Sequence, residues 1–227
     1  MYNIVIIHKF CVKKKKFVGQ GEIMLRIYFV RHGETIWNTL KIFQGRQDSP
    51  LTEVGINQAE KLSEYIKDIH FDKIYSSPQS RAKKTAEILL GDRKLNIIEI
   101  PELQEINMGN VEGIPRENFE KNFPEEYHNF WNNAIAYNPI AFNGESYQEV
   151  LDRVKVGLEK LIQENKKGTV LVVSHGVTLK AIFNIIKKHG IKEFSEQEVP
   201  QNTSTTIVEY SDGEFKIVKF SDTTHLD

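Results

Sequence analysis

Three short runs in this 227-residue chain place reactive side chains directly behind apolar, β-branched stretches. Arg31-His32-Gly33 follows Ile27-Tyr28-Phe29-Val30, and Ser76-Ser77-Pro78-Gln79-Ser80-Arg81 follows the stretch from Phe71 to Tyr75. Ser174-His175-Gly176 follows the run from Thr169 to Val173. Ligands of open α/β sheets sit beyond the carboxyl ends of the strands, so two histidines and two arginines are expected to converge on one sheet edge. Guanidinium groups are planar forks that match phosphate oxygens. Arg81 is also expected in the first turn of a helix, where free N–H groups and the dipole favour an anion. The combination points to phosphate chemistry, with imidazole as nucleophile or acid–base group.

Other chemistries lack their signatures. His32 and His175 have no cysteine or carboxylate partners at metal-ligand spacing, and two nearby arginines oppose a cation, so no metal is expected. No P-loop pattern occurs, and Gly19-x-Gly21 precedes a strand where a dinucleotide fingerprint would follow one. A G-x-S-x-G nucleophile elbow is missing as well.

The elements that position these residues are legible from about Met24 onward. Leu25 to Val30, Phe71 to Tyr75, Asn96 to Ile100 and Thr169 to Val173 read as strands. Ala59, Leu62, Ile66 and Ile69 recur at helical spacing behind a Thr52 cap, and Ala82, Ala86 and Leu89 do so behind Ser77-Pro78, read as N-cap and N1. Ser146-x-x-Glu149 is a capping box opening a third helix, and Val177 to Lys188 reads as a fourth. Thr205 to Tyr210, Asp212-Gly213 and Phe215 to Phe220 form a hairpin pattern. Residues 106–145, with three prolines and many aromatics, interrupt the rhythm and read as an inserted lid whose aromatics make a miniature core. The expected fold is α/β: a three-layer αβα sandwich around a mostly parallel sheet, with the lid and a C-terminal edge hairpin.

Composition bounds the rest. Thirty basic against 31 acidic residues leave a net charge of −1, which gives no whole-protein attraction to nucleic acid or an anionic membrane. With 40% hydrophobic residues the chain is neither disordered nor fibrous. The single cysteine, Cys11, suits a reducing cytoplasm, and no apolar run is long enough to span a bilayer. Residues 1–23 read as an N-terminal extension or a translated leader, because Gly21-Glu22-Ile23 can be encoded as a ribosome-binding sequence ahead of Met24. Residues 24–227 then form one domain.

Arg31-His32-Gly33-Glu34-Thr35 with Trp37-Asn38, Phe43-Gln44-Gly45-Arg46, Ser76-Ser77-Pro78 with Arg81-Ala82, Leu103-Gln104-Glu105, Gly144-Glu145-Ser146 and Ser174-His175-Gly176 occur in that order. The set resembles the histidine phosphatase superfamily, the phosphoglycerate mutase-like proteins. The resemblance implies that His32 attacks phosphorus, that Arg31, Arg81 and His175 neutralise the phosphoryl oxygens, and that Glu105 is the proton donor. It further implies that Asn38, Gln44 and Gly45 hold a small phosphorylated substrate, with no metal or other cofactor. Glu34 and Thr35 are read as loop-shaping residues and Trp37 as packing. Gln44 stands evenly between substrate contact and structure, and Glu112 between lid surface and catalysis. The lid spans only 38 residues between Glu105 and Gly144, and the pattern L-x-E-x-x-x-G-x-x-E-G resembles broad-specificity and α-ribazole phosphatases. Hydrolysis of phosphomonoesters is therefore expected ahead of a mutase reaction, with a non-catalytic phospholigand module as a third reading.

Overall fold

The computed structural model describes residues 24–227, and the expectations placed on residues 1–23, Cys11 among them, lie outside these. The strands are β1 (Leu25–Arg31), β2 (Lys73–Ser76), β3 (Ile97–Glu99), β4 (Gly168–Ser174), β5 (Thr205–Ser211) and β6 (Glu214–Asp222). The helices are α1 (Ile36–Thr39), α2 (Glu53–Tyr65), α3 (Ser80–Leu90), α4 (Arg116–Asn122), α5 (Pro124–Asn132), α6 (Tyr147–Glu164) and α7 (Gly176–Ile186). The six strands form one sheet in the order β3-β2-β4-β1-β5-β6. The first four are parallel, while β5 runs antiparallel to both β1 and β6. Among the described residues no helix is long and apolar enough to cross a membrane.

Alternation along the strands creates two cores. Tyr28, Val30, Ile74, Leu171 and Val173 face α2 and α3, meeting Leu62, Ile66, Ala82, Ala86 and Leu89. Ile27, Phe29, Val170 and Val172 face the other way, against α6 and α7. Each buried aliphatic side chain contributes on the order of 1.5–3 kcal/mol. The sandwich expected from the sequence is the one found.

Helix starts follow the capping chemistry, with one correction. Thr52 accepts from Gly55 N at the start of α2, and Ser146 with Glu149 makes the reciprocal box that opens α6. Ser77, however, does not cap α3, which begins at Ser80. Its free N–H groups are taken by a carboxylate from another loop: Asp48 accepts from Ser80 N at 2.7 Å and from Arg81 N at 3.3 Å. The expected free anion slot at this helix end is thus already filled by the protein.

The lid also differs from a self-contained insertion. Phe119, Phe130 and Phe142 are buried, and Phe43 and Phe119 meet edge to face at 5.6 Å, as do Phe119 and Phe142 at 5.1 Å. Tyr147, packed on both Phe130 and Phe194, joins these rings to the α6–α7 face. The lid aromatics therefore extend the main core and pack the lid against it.

Candidate active site

β1 ends at Arg31, and the chain stays alongside β4 for one more residue through His32 N to Ser174 O, 3.0 Å. That contact delivers His32 to the sheet edge, where it is 3% exposed. Gly33 lets the first turn of α2 pack closely there, because a Cβ would stand 2.6 Å from Gly55 O. His32 Nδ1 lies 2.7 Å from Gly33 O. A carbonyl only accepts, so Nδ1 carries the proton and Nε2 keeps its lone pair. Burial first, then the charges of Arg81 and Arg31, push the His32 pKa well below 6.5, so the ring is neutral near pH 7.

β4 delivers His175 in the same way, and α7 starts at the next residue. The His32 and His175 ring centroids are 5.2 Å apart. His175 is fully buried, and its Nε2 meets Ser77 Oγ at 2.7 Å. Burial and the neighbouring Arg81, His32, Arg31 and Arg153 also hold this ring well below 6.5.

The two predicted arginines are held differently. Arg31 donates to Pro200 O at 2.7 Å, and burial lowers its pKa to about 10, so it stays charged. Arg81 donates to Gln47 O at 2.6 Å, Asp48 Oδ1 at 2.7 Å and Gly45 O at 2.8 Å. In both guanidinium groups Nε is sealed from solvent without a partner, as are His175 Nδ1 and Gln44 Oε1. Folded proteins pair nearly all such atoms. Four unpaired ones among these predicted residues are what a site for a polar ligand looks like.

Seven of the eight residues expected from the sequence line one cleft of about 550 Å³, measured with its open mouth; His175 lies behind it. Asn38 reaches the cleft while its Oδ1 accepts from Thr35 N at 3.1 Å, part of the capping box of α1. Gln44 is anchored by its Nε2 to Thr35 Oγ1, 2.8 Å. Gly45 has φ +53, and an added Cβ would overlap Glu112 at 2.0 Å. Glu112 is half-buried and does not line the cleft. Its carboxylate accepts from Arg46 N, Gln47 N and Met108 N at 2.8 to 3.1 Å, tying the 45–47 loop to the lid. Glu34 shapes its loop as expected, accepting from Thr52 Oγ1 at 2.8 Å.

Glu105 sits where the lid begins. Its Oε1 accepts from Ile106 N and Thr178 N, both 3.0 Å, and its Oε2 from Val177 N at 3.1 Å. The carboxylate thus caps the first turn of α7 on the cleft wall. Among the described residues no three His, Cys, Asp or Glu side chains come together as a metal site.

Sequence reasoning missed Arg116, which lines the same cleft from the start of α4. Its guanidinium lies 5.3 Å from the Phe43 ring centroid and 5.4 Å from that of Trp131. Among the described residues it has no ion-pair partner. It also missed Asp48, Gln79 and Lys180. Asp48 organises Arg81, and Gln79 joins Gly45, Ser77 and Glu105 by hydrogen bonds. The Ser-Pro-x-x-Arg spacing drew attention to its ends, not to the glutamine between them.

Comparison with known proteins agrees with this geometry. Residues 27–223 match the histidine phosphatase superfamily (branch 1). The chain is 33% identical over 203 residues to the uncharacterised phosphatase PhoE of Bacillus subtilis (strain 168), covering 89% of this chain and 97% of that one. It is 32% identical over 213 residues to the protein designated probable phosphoglycerate mutase GpmB of Yersinia pestis (strain Pestoides F), covering 90% and 96%. The solved structure of YhfR from Bacillus stearothermophilus superposes with a TM-score of 0.86 at 32% identity, over 89% of this chain and all of that one. With strand-end histidines and arginines gathered at one cleft and the family match spanning nearly the whole described fold, the chain belongs to branch 1 of the histidine phosphatase superfamily and is an enzyme of phosphatase type acting on phosphorylated substrates.

Proposed function

We propose that this enzyme hydrolyses small phosphomonoesters through a phosphohistidine at His32. The observation that carries the reading is the fixed tautomer of His32, whose Nδ1 proton is held by Gly33 O so that Nε2 offers its lone pair. Nε2 attacks phosphorus in line, the bond to the leaving oxygen breaks, and that oxygen takes a proton from Glu105. Water then attacks phosphorus and gives its proton to Glu105, and the P–N bond breaks to release inorganic phosphate. Arg31, Arg81 and His175 stabilise the charge on the transferring group, and Asn38, Gln44 and Gly45 hold the ester. Phosphoryl transfer depends mainly on such positioning and charge stabilisation. A mutase reaction would instead return the phosphoryl group from His32 to a second oxygen of the substrate, and the short lid supports water as acceptor.

His32→Ala is expected to lower turnover by at least about 10³-fold while the fold is kept. Wild-type enzyme quenched during turnover should carry an acid-labile, base-stable phosphoryl group on His32, located by peptide mapping. Retained phosphatase activity in the variant would refute the mechanism. A panel of phosphomonoesters, with phosphate release and isomer formation followed together, separates hydrolase from mutase.

A further inference from the structure

Behind the cleft, three hydrogen-bonded side chains leave no freedom in where their protons lie. Glu105 N donates to Gln79 Oε1 at 2.9 Å, and Gln79 Nε2 donates to Gly45 O at 2.8 Å. An N–H requires an acceptor and a carbonyl requires a donor, so these two contacts fix the orientation of the Gln79 amide. Its Oε1 also lies 2.9 Å from Ser77 Oγ, and two oxygens at that distance need a proton between them. The one hydroxyl proton of Ser77 is therefore spent on Gln79. Toward His175 Nε2, 2.7 Å away, Ser77 offers only a lone pair, so Nε2 must carry a proton. In the neutral ring that makes Nδ1 a lone pair, and Nδ1 is the buried atom without a partner.

A bare lone pair repels a phosphoryl oxygen. We propose that His175 is neutral in the free enzyme and gains a proton at Nδ1 when a phosphomonoester binds, with Ser77 and Gln79 as the positioning residues that impose this requirement. The inference rests on the phosphatase reading above. The charged and titratable groups facing the ring are Arg31 at the end of β1, His32 just after it, Arg81 on α3 and Arg153 on α6, and Glu105 sits next to them against the start of α7, beside Gly176. In the free enzyme the cations among them disfavour an imidazolium, and burial adds to the effect. A dianionic ester reverses the balance, since Asp48 already compensates Arg81 at 2.7 Å and Glu105 adds further negative charge. The proton enters from solvent with the ester and leaves with inorganic phosphate. His175 forms no bond to phosphorus.

The pH profile of kcat/KM with p-nitrophenyl phosphate reads this proton. Above about pH 6 the ester is a dianion, and its leaving group needs no proton from Glu105. His32 must be unprotonated to attack, so its own titration changes the rate in the opposite direction. We expect wild-type kcat/KM to fall about tenfold per pH unit between pH 7 and 9, and the same slope in Glu105→Gln. In Ser77→Ala the ring is free to place its proton on Nδ1 and donate while neutral, so the fall should shrink below about threefold across that range. Ser77→Cys, which still donates to Gln79, should restore the tenfold slope. Independently, ¹⁵N spectra of the His32→Ala protein should show His175 Nδ1 becoming protonated when p-nitrophenyl phosphate is added at pH 7.5. That measurement decides the matter should Ser77→Ala fail to fold. A flat wild-type profile in an enzyme that forms phosphohistidine overturns the inference alone, as does a slope that vanishes in Glu105→Gln. An enzyme that forms no phosphohistidine overturns both the inference and the phosphatase reading.

Discussion

Glu105 uses its two oxygens unequally, with Oε1 accepting two backbone N–H groups and Oε2 only one. Oε2 is therefore the oxygen with capacity to carry a proton to a leaving group. Glu105→Gln should slow hydrolysis of alkyl phosphates by about 10²-fold, the usual scale for losing a general acid. Single-turnover measurements should show a smaller loss with p-nitrophenyl phosphate, and equal losses would remove Glu105 from that role. Lys180, one turn further along α7, is only 5% exposed, with Nζ 4.9 Å from the Phe194 ring centroid. Burial lowers its pKa to about 8, with the charge of Glu105 opposing. The folded chain then binds fewer protons than the unfolded one between pH 8 and 10.5, so stability rises with pH across that window. Lys180→Met should stabilise the fold by up to about 3 kcal/mol below pH 8, and the gain should fade toward pH 10.5. Urea unfolding of both proteins across this range tests the sign. Neither behaviour was legible in the sequence. Lys180 reads as an ordinary helix lysine until Phe194, from a later loop, is seen to cover it. Arg31, His32 and His175 were legible because each stands at the end of an apolar strand, and Arg81 because it opens the helix that follows one.

Helix ends divide the same way. Ser146 and Glu149 announce α6 because both halves of the box lie within four residues. The cap of α3 comes from Asp48, in a loop that sequence distance hides, and α1 is too short to leave a periodic pattern. Asp48 serves α3 and Arg81 together, so Asp48→Ala removes a cap and strands a buried guanidinium. The expected cost is about 2 kcal/mol by urea unfolding, reduced from the fully buried case because Asp48 is partly exposed. Activity should fall further than stability alone implies, since Arg81 is held in the cleft partly through that carboxylate. Asp48→Asn, which can still accept from the backbone, should recover the helix cap but not the ion pair.

At the level of the whole molecule, residues 24–227 build a six-stranded sheet with a core on each face. Removing residues 1–23 should leave the melting temperature unchanged and kcat/KM within about twofold of the full chain, and a larger loss would assign those residues a part in the fold. Alternating strand and helix signals revealed a mostly parallel sheet, but not the strand order. Order depends on which strands share faces across long separations, and no local pattern records it. The order carries a consequence for how the protein is made. β1 sits between β4 and β5, with Leu25 beside Gly168 and Tyr210. The first of them, β4, leaves the ribosome after roughly 140 more residues and β5 after roughly 180, so at 5–20 residues per second about 7 to 30 s of synthesis pass before either arrives. For that interval Leu25 to Val30, the most apolar strand near the start of the fold, has no partner on either edge. Chaperone capture or self-association of the nascent chain should begin at this strand, and the hazard is set by elapsed time, not by the stability of the finished protein.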